Sequence, residues 1–207
     1  MSQDNITQTG WIPGRREAIT GMGVLLAAAA TPSASASTTA ATSRELAGKV
    51  AIISGAARNL GRGFAVALAK NGADIVVHYH TEKSRADAEE TARLIRAQGA
   101  RSMLVAGDLS VVANVRKMYD TAFEHFGRVD IVVNNAGKIF KKPLAQVTET
   151  EFDQSFGINA KAVFFSMQEA ARRIADNGRI INIGTSLLGA TTGMYSVYAG
   201  SKAPMED

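Results

Sequence analysis

The sequence has no cysteine, which excludes thiol nucleophiles, disulfides and cysteine-ligated metals. It also leaves the chain indifferent to the redox state of its compartment. The three histidines, His78, His80 and His125, lack the H-E-x-x-H spacing of a helical zinc site, so no metal is expected. The apolar run from Ala18 to Ala30 falls short of the roughly 20 residues that span a bilayer, which argues against a permanent membrane anchor. Positive charge is never concentrated: the net +4 is spread among acidic residues, so a nucleic-acid partner is not expected.

What the chain does have is 207 residues, 46% hydrophobic and 20% charged, enough for one soluble globular domain. It opens on a polar lead-in, the pair Arg15-Arg16, the short apolar run, Pro32 and small residues. Ala34-Ser35-Ala36 then offers an A-x-A cleavage site. This layout predicts a cleavable export signal over 1–36, a Ser/Thr/Ala-rich linker over 37–47 and a domain over 48–207. The leader resembles a twin-arginine signal, which implies export of a folded, cofactor-loaded protein to a bacterial periplasm. If the segment is instead a polar N-terminal tail, the protein stays in the cytoplasm.

From Lys49 onward, short β-branched runs alternate with amphipathic stretches. Strands are expected within Val50–Gly55, Ala73–His80, Arg101–Asp108, Arg128–Gly137 and Gly178–Gly184. Helices are expected near 61–71, 83–98, 111–126, 149–175 and from about 195, with Asn71-Gly72 closing the first. Strands apolar almost throughout, alternating with helices, predict an α/β fold with a doubly wound parallel sheet. Such sheets bind ligands at the carboxyl ends of their strands, and the unusual residues of this sequence stand there.

The first strand runs into "SGAARNLGRGFAVALA", a glycine turn opening a helix, where backbone N–H groups and the helix dipole can meet a pyrophosphate. No G-K-[ST] follows, which disfavours nucleoside triphosphates. Ser54-Gly55-Ala56-Ala57-Arg58-Asn59-Leu60-Gly61 resembles the T-G-x-x-x-G-x-G turn of the short-chain dehydrogenase/reductase family. Ser54 stands for threonine and keeps a hydroxyl. Asn59 stands for the middle glycine and tolerates a left-handed backbone.

The resemblance covers about 46–207 and implies a Rossmann-like fold. It assigns Asp108-Leu109 to the adenine and Asn135, Ala136 and Gly137, within N-N-A-G, to the nicotinamide ribose. Asp108 could instead cap the helix near Val111. An acidic residue ending the second strand would bind the NAD ribose. Here that position reads His78-Tyr79-His80-Thr81, while Arg58 can face a 2′-phosphate with paired hydrogen bonds. NADP is therefore expected over NAD.

Hydride transfer to a carbonyl needs a proton donor as well. A tyrosine, with a reference pKa of about 10, works better beside a cation that stabilises its phenolate. Tyr198 and Lys202 stand at i and i+4 on one helical face. By the resemblance, Lys202 also holds the ribose hydroxyls, Ser186 holds the substrate oxygen with Thr185 as the alternative, and Asn159 holds a water in the proton relay. The expectation is a carbonyl–alcohol oxidoreductase acting on a small molecule and forming a homo-oligomer when full-length. The family's domain continues about sixty residues past Asp207, through two more strands and a substrate-closing segment. On its own, the 207-residue chain is thus expected to be marginally folded or inactive. The rival reading is a dinucleotide-binding protein without turnover.

Overall fold

The structure, a computed structural model, describes residues 44–205 apart from Thr191. The export signal expected over 1–36 and most of the expected linker lie outside the described residues. Leu46, within the expected linker, packs against the domain. The Leu46 N–H donates to the Asn71 carbonyl at 2.9 Å, and its side chain packs on the core.

Five strands are present among the described residues, where five were expected: β1 (Val50–Ile53), β2 (Asp74–Tyr79), β3 (Ser102–Ala106), β4 (Ile131–Asn134) and β5 (Arg179–Asn182). They form one parallel sheet in the order β3-β2-β1-β4-β5. Between them run α1 (Asn59–Lys70), α2 (Arg85–Ala97), α3 (Val112–Phe126), α4 (Glu149–Phe156) and α5 (Ala162–Arg173), and α6 (Ser196–Lys202) follows β5.

The twofold alternation of a strand explains why helices cover both faces. Ala51 and Ile53 of β1 cluster with Ala65 and Ala69 of α1 and Ala88 and Ile95 of α2. Val50 and Ile52 point the other way, into Val115, Met118, Tyr119 and Ala122 of α3 and Ala162 and Ala170 of α5. Phe64 and Leu68 pack on the α1–α2 side as the helical spacing predicts, and Asn71 ends α1 with its amide on the Ala67 carbonyl.

β1 is flanked by β2 and by β4, so successive crossovers leave it in opposite directions and open a crevice at its carboxyl end. One expected element is divided. The single helix predicted over 149–175 is α4 and α5 joined by a π-helical turn, Gly157–Lys161. The buried Asn159 amide in that turn bonds the Lys138 backbone, which holds the extra residue in place. At the sheet's other end β5 pairs only with β4 among the described residues, leaving Ile180 and Ile181 substantially exposed.

Candidate functional site

The turn after β1 is built from constraints that glycine and asparagine satisfy. Gly55 has φ +66°, and Asn59 has φ +51°, the left-handed conformation its side chain tolerates. A Cβ on Gly61 would strike the Gly55 carbonyl and lie 2.7 Å from Asn135 Nδ2, so α1 can approach this closely only at a glycine. Ser54 does the work expected of threonine: its Oγ accepts from the Asn135 and Ala136 N–H groups, both at 2.9 Å. Asn135 Nδ2 donates in return to the Ser54 carbonyl, bracing β1 against β4. Arg62 is bound inward to the Ala57 and Asp87 carbonyls. Arg58 projects outward, with Nη1 only loosely paired to Asp87 at 3.9 Å.

Above the turn lies a cleft of about 630 Å³. Every cofactor position predicted from the sequence lines it except Ser54, which sits beneath its floor, and Tyr198 and Lys202, which stand beyond one end. The lining thus includes Gly55, Arg58, Asn59, Leu60, Gly61, His80, Asp108, Leu109, Asn135, Ala136 and Gly137. His78, Ser84 and Lys138 line it too, and no sequence motif marks them as cofactor positions. Asp108 does not cap α3, whose N-cap is Val111; its Oδ1 accepts the Ser110 N–H at 2.9 Å. Burial works against the Asp108 charge, but the hydrogen bonds from Ser110 and the nearby His80 outweigh it and hold the carboxyl below its usual range.

At the cleft's other end the absence of a side chain at Gly137 matters. A Cβ there would lie 3.0 Å from Asn159 Oδ1 and 3.6 Å from Lys202 Nζ. Lys202 is buried, its Nζ donates to the Ile183 carbonyl at 2.7 Å, and burial pushes its ammonium down from the ordinary lysine value. Asn159 Oδ1 accepts the Lys138 N–H, while Nδ2 donates to the Lys138 carbonyl and to Ser201 Oγ. Ser201 Oγ also donates to the Tyr198 carbonyl and contacts Ser155 Oγ at 3.0 Å. One buried network thereby connects α6 to the π-helical turn. Nothing in the local sequence pattern marked Ser155 and Ser201, whose meeting spans 46 positions.

Tyr198 lies half-buried one turn before Lys202, and among the described residues its hydroxyl has no hydrogen-bond partner. Of the two candidate hydroxyls after β5, Thr185 Oγ1 accepts the Leu187 N–H and starts a short 3₁₀ turn. Ser186, exposed in that turn, keeps its hydroxyl uncommitted among the described residues.

A glycine cradle at a helix start, a projecting guanidinium and a buried lysine at the far end suit a phosphorylated dinucleotide. The profile of the family described as short chain dehydrogenase matches residues 49–207. The chain belongs to that family. A hydroxynaphthalene reductase-like protein of Metarhizium majus is 40% identical over 80% of this chain and 61% of its own length. A Burkholderia cenocepacia protein solved with bound NADP is 44% identical, with a TM-score of 0.76 over 80% of this chain and 63% of that one. A landomycin C-6 ketoreductase solved with NADP and rabelomycin is 35% identical, with a TM-score of 0.74 over 78% of this chain and 68% of that one. The chain therefore spans about three-fifths of the length of the curated relatives it matches first.

Proposed function

We propose that this chain binds NADP(H) and carries the proton-donating side of a reductase that interconverts a carbonyl and an alcohol. The observation that carries the reading is the approach of Asn159 Oδ1 and Lys202 Nζ to Gly137, at the end of a cleft that begins in the phosphate turn. NADPH would lie along the cleft. Arg58 and His80 would take its 2′-phosphate, the backbone of 55–61 its pyrophosphate and Asp108 its adenine. When bound, that cofactor supplies the hydride.

The remaining chemistry belongs to the chain. The Tyr198 hydroxyl gives its proton to the carbonyl oxygen, and the Lys202 ammonium one turn away stabilises the phenolate left behind. Lys202 is suited to this because the Ile183 carbonyl fixes its Nζ and burial keeps water from screening its charge. Ser186, with its uncommitted hydroxyl, orients the substrate oxygen in preference to Thr185. Asn159 holds the π-helical turn open beside Gly137, where a relay water can stand. Bound NADP in two of the similar structures supports the cofactor, and the reductase names of relatives support the reaction class.

The test is NADPH oxidation over a panel of aromatic and aliphatic ketones. Consumption that Tyr198→Phe and Lys202→Met reduce by about 100-fold or more supports the reading, in line with the 10² to 10⁴ that a positioned acid contributes. The exposed apolar residues of β5 favour a second reading, a chain that holds cofactor without turnover. NADPH binding with no oxidation of any substrate, unchanged by Tyr198→Phe, would select it. The leader at 1–36 and a periplasmic location are part of the proposal too, tested by the N-terminal residue and cell fraction of the expressed protein.

A further inference from the structure

His78 is the one buried imidazole in the cleft wall, and both of its ring nitrogens are used. The Gly55 N–H donates to Nδ1 at 3.0 Å, and Nε2 lies 2.8 Å from the Gly107 carbonyl. A backbone N–H can only donate and a carbonyl can only accept. The ring is therefore neutral, with its proton on Nε2. The side chain stands at the end of β2, between the turn after β1 and the loop after β3, and it crosses three strand ends of the cleft with one rigid group. His78 grips the turn through its backbone as well, its carbonyl accepting the Ala56 N–H at 2.9 Å.

We propose that His78 is a positioning residue for the cofactor: by accepting the Gly55 N–H it fixes the left-handed Gly55 that shapes the pyrophosphate turn, and by donating to Gly107 it sets Asp108 at the adenine end. Three observations support it. Gly55 at φ +66° has no side chain of its own to hold it there. Gly107 directly precedes Asp108, so the imidazole acts at one bond's remove on both ends of the cleft. The ring is also held neutral, burial being the main cause and the Gly107 bond opposing it, with a pKa lowered to about 4. It therefore keeps the accepting Nδ1 throughout the neutral range.

The inference rests on the NADP(H) reading of the cleft and deepens it. Two substitutions separate the ring's two bonds, because an asparagine amide places its oxygen near Nδ1 and a glutamine amide reaches toward Nε2. His78→Leu should weaken NADP⁺ binding about tenfold or more by isothermal titration, the scale of one net hydrogen bond at a positioning site. His78→Asn should recover most of that loss and His78→Gln little of it. In the unsubstituted chain, ¹⁵N spectra of the free protein near pH 7 should show His78 protonated on Nε2 alone. Equal affinity in all four chains, recovery by glutamine rather than asparagine, or a proton on Nδ1 would overturn the inference.

If the unsubstituted chain does not bind NADP⁺, the cofactor reading fails separately. Hydrogen exchange of the Gly55 amide then decides the positioning role. Faster exchange in the leucine and glutamine variants than in the asparagine variant supports it, and uniform exchange contradicts it. Should the leucine variant fail to fold, the asparagine–glutamine pair and the tautomer measurement carry the same contrast.

Discussion

Arg58 projects from the phosphate turn and is tied only to Asp87, at 3.9 Å with both side chains largely exposed. Such a pair contributes little to stability, so the guanidinium can turn to a phosphate at small cost. Arg58→Ala should weaken NADP⁺ binding by about 10- to 100-fold, the range of a charge-assisted bond, and leave NAD⁺ binding and thermal stability nearly unchanged. Parallel titrations of the two cofactors check this. His78 makes a prediction for stability. Its folded-state pKa of about 4 lies below the unfolded value of 6.5, so between these the unfolded chain binds more protons. Stability carried by the neutral ring is complete above about pH 6.5, is lost as pH falls to about 4, and totals about 3 kcal/mol. The charges of His80 and Asp108 also act on the ring, in opposite directions. Urea unfolding of His78→Asn against the unsubstituted chain isolates the imidazole, and equal pH slopes would contradict its neutral burial.

At the scale of elements, the phosphate turn and the π-helical turn do the positioning, and they differ in how far the sequence announces them. Gly61→Ala would drive a methyl into the Gly55 carbonyl and Asn135. Loss of NADP⁺ binding together with a lowered unfolding midpoint is expected for that variant. Ser201→Ala would leave Ser155 Oγ with only the Asn159 amide as partner and remove one acceptor from that amide, costing about 1–3 kcal/mol in urea unfolding. The phosphate turn, the Asn135–Gly137 loop and the Tyr198–Lys202 spacing were legible because each is a short contiguous pattern. The Asn159 turn is indistinguishable from plain helix in the sequence, because its π geometry depends on the Lys138 backbone, 21 positions away. His78 and Ser201 could not be singled out for the same reason: their meaning lies in partners that only the closed sheet and packed helices bring within reach.

Across the whole molecule, the α/β alternation was enough to predict a doubly wound parallel sheet, because helices on both faces follow from strands apolar on both sides. The strand order, with β1 between β2 and β4, places the cleft at the crevice where the cofactor positions converge. Among the described residues β5 has a strand neighbour on one side only, and Ile180 and Ile181 are exposed. Unpaired strand edges template association, so sedimentation velocity of the 207-residue chain should show concentration-dependent self-association. Ile181→Lys should shift it toward monomer; no change would show that β5 is not the contact. The central claim, that this sheet is built around NADP(H), is tested most directly by titrating the purified chain with NADPH and with NADH and following nicotinamide fluorescence. The account predicts saturable enhancement with NADPH at least about tenfold tighter than with NADH, the least that one charge-assisted phosphate contact should give. No saturable binding of either, or a preference for NADH, would contradict it.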